Sequence, residues 1–216
     1  MTLLNASKSK ELLKILSKAY PKPKCALNNS NPLEILVSTI LSAQCTDVRV
    51  NIVTKSLFEK YKTVKDYANA NQAEFEQAIK STGFYRNKAK NIIFASKMLI
   101  QEFGGKVPKT MPELITLPGV ARKTANIVLS EGYGIAEGIA VDTHVIRLSF
   151  RMGLTKNKDP VKIEKDLMAI VPKDQWGAVS MRLITHGRTV CDARQPKCSI
   201  CVFNKLCPKN GVKKSA

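Results

Sequence analysis

The chain has 216 residues, 44% of them hydrophobic, enough to bury a core and to exclude a disordered polymer. Its 35 Lys and Arg against 17 Asp and Glu leave a net charge of +18, too large an excess for an incidental solvated surface. A polyanion is the expected partner, nucleic acid being the commonest and an anionic membrane the main rival.

Against the membrane, no apolar run approaches the length of a spanning helix. The opening Met1-Thr2-Leu3-Leu4-Asn5 lacks the charged-then-apolar layout of a secretory signal. The expected location is cytoplasmic, which for a prokaryote includes the nucleoid.

In chain order, Leu12, Leu13, Leu16 and Tyr20 recur at helical spacing. Asn31-Pro32-Leu33-Glu34 reads as an N-cap, a proline at the first helical position and a capping-box glutamate. The helix it opens carries Ile35, Leu36, Val37, Ile40 and Leu41, apolar nearly all round, and is predicted to be buried. Val48, Ile52, Leu57 and Tyr61 mark the apolar side of another helix. Asn71 caps a helix with Phe75 and Ile79 that stops at Gly83. Residues 86–102 form a long amphipathic stretch ended by Gly104-Gly105, and Thr110 with Glu113 repeats the capping-box pattern. Later, Asp159-Pro160 opens a helix, and a last one runs from Trp176 to about Ile184 with Gly187 as its stop. No strand pair, internal repeat or low-complexity segment stands out beyond the basic tail Lys213-Lys214. The expected fold class is all-α.

Between these lies Leu117-Pro118-Gly119-Val120-Ala121-Arg122-Lys123-Thr124-Ala125. A short helix, about Pro112–Leu117, meets a tight Pro-Gly turn and a second helix starts at once. Gly119 suits a positive φ or a close backbone approach. The second helix would aim free N–H groups and its positive dipole end outward, which suits a phosphate. An ordinary helix–helix connection explains the segment equally well. Asp142 precedes the apolar-periodic Val145, Ile146 and Leu148, so its plain reading is an N-cap.

Four of the six cysteines, Cys191, Cys198, Cys201 and Cys207, fall in one segment with the spacing C-x6-C-x2-C-x5-C. In a reducing compartment such clustering reads as metal ligands. Zinc sites usually pair their ligands as two short units, and here only the middle pair is short. A compact loop of four thiolates suits a 4Fe-4S cluster better, with structural zinc as the runner-up. Cys25 and Cys45 have no partner at ligand spacing and read as buried thiols.

The L-P-G-V-x-R-K-T-A segment resembles the hairpin of the helix-hairpin-helix DNA glycosylase superfamily. So do the Gly-rich loop Gly132-Tyr133-Gly134-Ile135-Ala136-Glu137-Gly138 and the aspartate of Ala140-Val141-Asp142-Thr143-His144. Within it the chain is most similar to the endonuclease III family. The likeness also covers Leu41-Ser42-Ala43-Gln44 with Thr46-Asp47, Thr82-Gly83-Phe84-Tyr85, His186-Gly187-Arg188 and the cysteine spacing. It implies an enzyme that removes oxidised pyrimidines from duplex DNA and nicks the strand at the abasic site. Lys123 would be the nucleophile and Asp142 the acid/base partner. An ordinary lysine is neutral in only roughly one molecule in a few thousand at pH 7. The helix dipole, burial and nearby arginines would each have to favour the free amine.

The resemblance also implies that Gln44 fills the gap left by an extruded nucleotide, that Phe84 wedges from the other side, and that Asp47 and His144 line the pocket. Gly119, Val120, Ala121, Arg122 and Thr124 would contact DNA through the hairpin. Arg194 and Lys197, in the loop between the first two cysteines, would meet phosphates. Without the family, Phe84 would read as core packing, Gln44 as a helix-end polar residue and Lys123 as a surface phosphate contact. The chain departs from the pattern in Ala121 for a glycine, Phe84 for a leucine and a Gly-rich loop without its proline. These bear on affinity and lesion preference rather than on reaction type.

Two lobes with a DNA groove between them are expected: residues 25–135 as a helical barrel with the hairpin, and 1–24 with 136–216 as the cluster domain. Damaged double-stranded DNA is the expected partner, and a monomer suffices. The rivals are a glycosylase without lyase action, a non-catalytic DNA-binding iron–sulfur protein and a zinc-stabilised RNA-binding module.

Overall fold

The computed structural model describes residues 1–216 and contains helices, turns and loops but no strand. Eleven α-helices follow in chain order: α1 Ala6–Ala19, α2 Pro32–Leu41, α3 Asp47–Lys60, α4 Val64–Ala68, α5 Gln72–Ile79, α6 Tyr85–Phe103, α7 Met111–Leu114, α8 Arg122–Ile127, α9 Thr143–Arg151, α10 Pro160–Ile170 and α11 Trp176–Thr189. No helix is long and apolar enough to cross a membrane. The chain divides into two compact units, one of Cys25–Glu137 and one of Met1–Lys24 with Gly138–Ala216.

The Cys25–Glu137 unit is built around α2, whose residues from Ile35 to Leu41 are all buried. Asn31 caps it, accepting from the amides of Leu33 and Glu34, and Pro32 occupies the first turn. Glu34 reaches past the cap to the amide and hydroxyl of Ser30 instead of closing a capping box. Helix α8 continues into a π-helical turn, Val128–Gly132, that packs on α2. A side chain at Gly132 would press on Pro32 and Ile35 at 3.3 Å, so the glycine permits that approach.

Three expectations shift here. In α3 the buried residues are Val50, Val53, Thr54 and Leu57, whereas Val48 and Ile52 are exposed. The helix is therefore rotated relative to the stripe read from Val48 and Ile52. Helix α7 ends at Leu114, and single-turn bonds from Thr116 and Leu117 back to Glu113 and Leu114 complete it. Cys25 and Cys45 are half-buried rather than buried.

The second unit has one apolar core, with Leu12 and Leu16 from α1, Val145 and Leu148 from α9, Ile163 and Leu167 from α10, Val179 and Leu183 from α11, and Phe203. Gly187 does not stop α11, which runs on to Thr189. A Cβ there would meet His144 Nδ1 at 2.8 Å and an Arg147 guanidinium nitrogen at 3.0 Å. The glycine is a close-packing position between α11 and α9, not a cap.

Candidate nucleic-acid interface and thiolate cavity

The hairpin in the Cys25–Glu137 unit turns at Gly119, whose φ is +79°. Asn91 of α6 lies 2.9–3.2 Å from where a Cβ would stand, so no other residue fits that turn without displacing it. Ala121 is the N-cap of α8 and offers no side-chain acceptor of its own. Alanine takes this extended backbone (φ −88°) without strain, so the turn survives the missing glycine.

Arg122 and Lys123 follow as the first two helical residues, both exposed. The burial expected at Lys123 is therefore not a property of the free chain. Val120 is buried and Thr124 nearly so, at 6% and 9% exposure. Their side chains anchor the hairpin to the core, which leaves only their backbone for an external contact.

The same unit displays Gln44 and Phe84, both exposed and both with positive φ, +52° and +49°. Such a conformation costs a non-glycine residue on the order of 1–3 kcal/mol and persists only where the surroundings hold it. Phe84 is 63% exposed, so it is not core. Asp47 is half-buried in the first turn of α3.

In the second unit Asp142 is the N-cap of α9, its Oδ1 accepting from the Val145 amide at 2.8 Å. The cap fixes a half-buried carboxylate at the start of a helix. His144, one residue into α9, accepts at Nδ1 from Arg147 at 3.1 Å. Lys123 and Asp142 thus belong to different units.

Cys191, Cys198, Cys201 and Cys207 line one cavity in this unit, together with Arg151, His186, Phe203 and Lys209. Burial pushes the Cys201 and Cys207 thiols up, the neighbouring sulfurs add to it, and backbone N–H groups from Phe203 and Lys209 oppose it. Four thiols lining one cavity are a donor set that fits a bound metal group.

Arg147 and Arg151 carry no sequence signal, and His186 stands out in the sequence only as part of His186-Gly187-Arg188. Arg151, at the end of α9, donates to Cys191 Sγ at 3.4 Å and to the carbonyls of Asp192 and Ala193 at 2.6 and 2.7 Å. Arg147 donates to the carbonyls of Gly187 and Cys191 at 3.0 and 3.1 Å. Buried His186 stands between Tyr20 Oη, 2.8 Å from Nδ1, and Cys201 Sγ, 3.5 Å from Nε2. Burial lowers its pKa to about 4, so it is neutral at pH 7. Arg194 and Lys197 are exposed on the loop between the first two cysteines, Lys197 Nζ donating to the Thr189 carbonyl at 3.2 Å.

Residues 37–173 match the model of the HhH-GPD superfamily of base excision DNA repair proteins. The chain is 54% identical to endonuclease III of Synechocystis sp. over 92% of its own length and 90% of that protein. It is 48% identical to endonuclease III of Bacillus subtilis over 95% and 94% of the two chains. A solved structure of a trapped endonuclease III–DNA covalent intermediate, an estranged-adenine complex, superimposes with a TM-score of 0.92 at 45% identity, covering 96% of this chain and 97% of the other. A thermostable thymine-DNA glycosylase shares the fold at a TM-score of 0.85 and 23% identity. The chain belongs to the endonuclease III family, within the HhH-GPD superfamily of base excision DNA repair proteins.

Proposed function

We propose that this enzyme excises oxidised pyrimidines from duplex DNA and then cleaves the strand, with Lys123 as nucleophile and Asp142 as its acid/base partner. The observation that carries this reading is an exposed amine in the first turn of the helix that follows the Gly119 hairpin turn. A relative 45% identical to this chain has been trapped covalently on DNA, which supports an enzyme–DNA bond as the intermediate.

The neutral Lys123 amine attacks C1′ of the damaged nucleoside, and the glycosidic bond breaks with its electron pair leaving on the base. Asp142 takes the proton that the amine sheds and stabilises the positive charge that develops on the sugar. The C1′–O4′ bond then breaks, its electron pair and a proton going to O4′ as the sugar ring opens, and the protonated imine left between Lys123 and C1′ acidifies C2′. Loss of a C2′ proton breaks the C3′–O bond, so the 3′ phosphate departs and the strand is nicked. Extrusion comes first, since a stacked nucleoside does not present C1′. Gln44 fills the vacated space and Phe84 wedges against the partner base, while Asp47 and His144 line the pocket. Arg122, Arg194, Lys197 and the backbone of residues 119–121 meet phosphates.

Cys191, Cys198, Cys201 and Cys207 would hold a 4Fe-4S cluster, which would serve as a scaffold for the loop they share. Metal and sulfide analysis checks this: about four iron and four sulfide per chain are expected, and stoichiometric zinc without sulfide would overturn it.

The deciding experiment is borohydride trapping on a duplex with one abasic site. Wild type should give a covalent adduct, and Lys123→Ala should give none while keeping DNA affinity within a few-fold. No adduct from cluster-loaded, DNA-bound wild type would leave a water-using glycosylase or a binding protein.

A further inference from the structure

Lys88 lies one turn into α6 and is 4% exposed. Its Nζ donates to two carbonyls, Leu41 at 2.7 Å and Thr82 at 2.8 Å. Leu41 ends α2, and Gln44 follows three residues later. Thr82 ends a short 3-10 turn, and Phe84 follows two residues later. The Lys88 amide also donates to the Phe84 carbonyl at 3.1 Å.

A buried ammonium is expensive to keep, and burial lowers its pKa from the ordinary lysine value. An apolar residue would fill the same space at less cost. What the ammonium adds is directional: it holds two chain ends that α2 and the 3-10 turn would otherwise leave as open carbonyls. Immediately beyond those ends stand the chain's two exposed aromatic or amide residues with left-handed backbone. Each needs its neighbours held to stay in that conformation.

We propose that Lys88 is a positioning residue for base extrusion, clamping the bases of the Gln44 and Phe84 turns to one ammonium so that plug and wedge keep a fixed separation. This rests on the reading of Gln44 and Phe84 given above. Lys88 touches neither DNA nor the reacting sugar. It acts through the two turns, so it matters where a stacked nucleotide must be extruded and not where the sugar is already accessible.

Single-turnover kinetics on two substrates separate these cases. One is a duplex with an oxidised pyrimidine, which needs extrusion. The other is a single strand with an abasic site, which does not. Lys88→Met is expected to slow the first on the order of ten- to a hundredfold and to leave the second within about twofold. Deuterium uptake should rise in peptides spanning 42–46 and 82–86 and nowhere else. Lys88→Gln, with a shorter stem that cannot serve both carbonyls, gives the same readings if the methionine variant does not fold. Equal loss on both substrates, or wild-type rates on both, overturns the proposal. Gln44→Ala and Phe84→Ala belong in the same assay. If both excise from duplex at the wild-type rate, the plug-and-wedge reading fails and the clamp with it; if they are slow and Lys88→Met is not, the clamp alone fails.

Discussion

A glycine inside a helix ordinarily costs about 1 kcal/mol relative to alanine. At Gly187 the surroundings reverse that sign. The Arg147 nitrogen that a methyl would strike is itself held by Gly187, Cys191 and His144. It cannot move without giving up hydrogen bonds, one of them to the first cysteine of the cavity. Gly187→Ala is therefore expected to destabilise the chain by about 1–3 kcal/mol, read as a lower urea midpoint at unchanged slope. A raised midpoint would mean that α11 and α9 are not in that contact. The motif His186-Gly187-Arg188 is visible in the sequence, but nothing in it separates a helix stop from a close approach. That difference is set by a neighbour more than 40 positions earlier, His144.

At the scale of the element, α9 carries two functions at its N-cap. Asp142 caps the helix through the Val145 amide, and the same carboxylate is the proposed proton acceptor. Two substitutions divide these functions. Asn caps about as well as Asp but cannot take a proton, so Asp142→Asn should keep the melting temperature nearly constant while excision falls on the order of 10²–10⁴. Asp142→Ala should add a stability loss of about 1 kcal/mol to a similar loss of rate. If Asn retained wild-type excision, the carboxylate would be a cap and nothing more. Helix α3 teaches the complementary lesson. Its cap at Thr46 and its span follow from local chemistry, yet its buried face is Val50, Val53 and Leu57, not Val48 and Ile52. Apolar residues surround much of that helix, and periodicity alone does not choose among overlapping stripes.

For the whole molecule, the net charge of +18 bears on binding more than on fold. If about five phosphates are neutralised, the log–log dependence of affinity on salt should have a slope of about −4 to −5. A fluorescence titration across salt concentrations measures it, and a flat response would remove the phosphate-contact picture. Lys123→Ala should shorten that slope by at most about one, which separates loss of a charge from loss of the nucleophile.

By itself the sequence determined what short-range chemistry and spacing can carry. That includes the all-helical class, the caps at Asn31, Asn71, Asp142 and Asp159, the glycine-dependent hairpin turn, the thiol spacing and the residue types at the candidate site. Tertiary structure decided what depends on partners far along the chain. It buried Val120 and Thr124 behind an exposed Lys123, exposed Phe84 where the residues alone read as core packing, and set Arg147, Arg151 and His186 around the cysteines. It also placed one ammonium, Lys88, on carbonyls 47 and 6 residues away. The physical reason is that capping and turn propensities are satisfied within a few residues, whereas burial and long-range hydrogen bonds exist only once separate helices share a core.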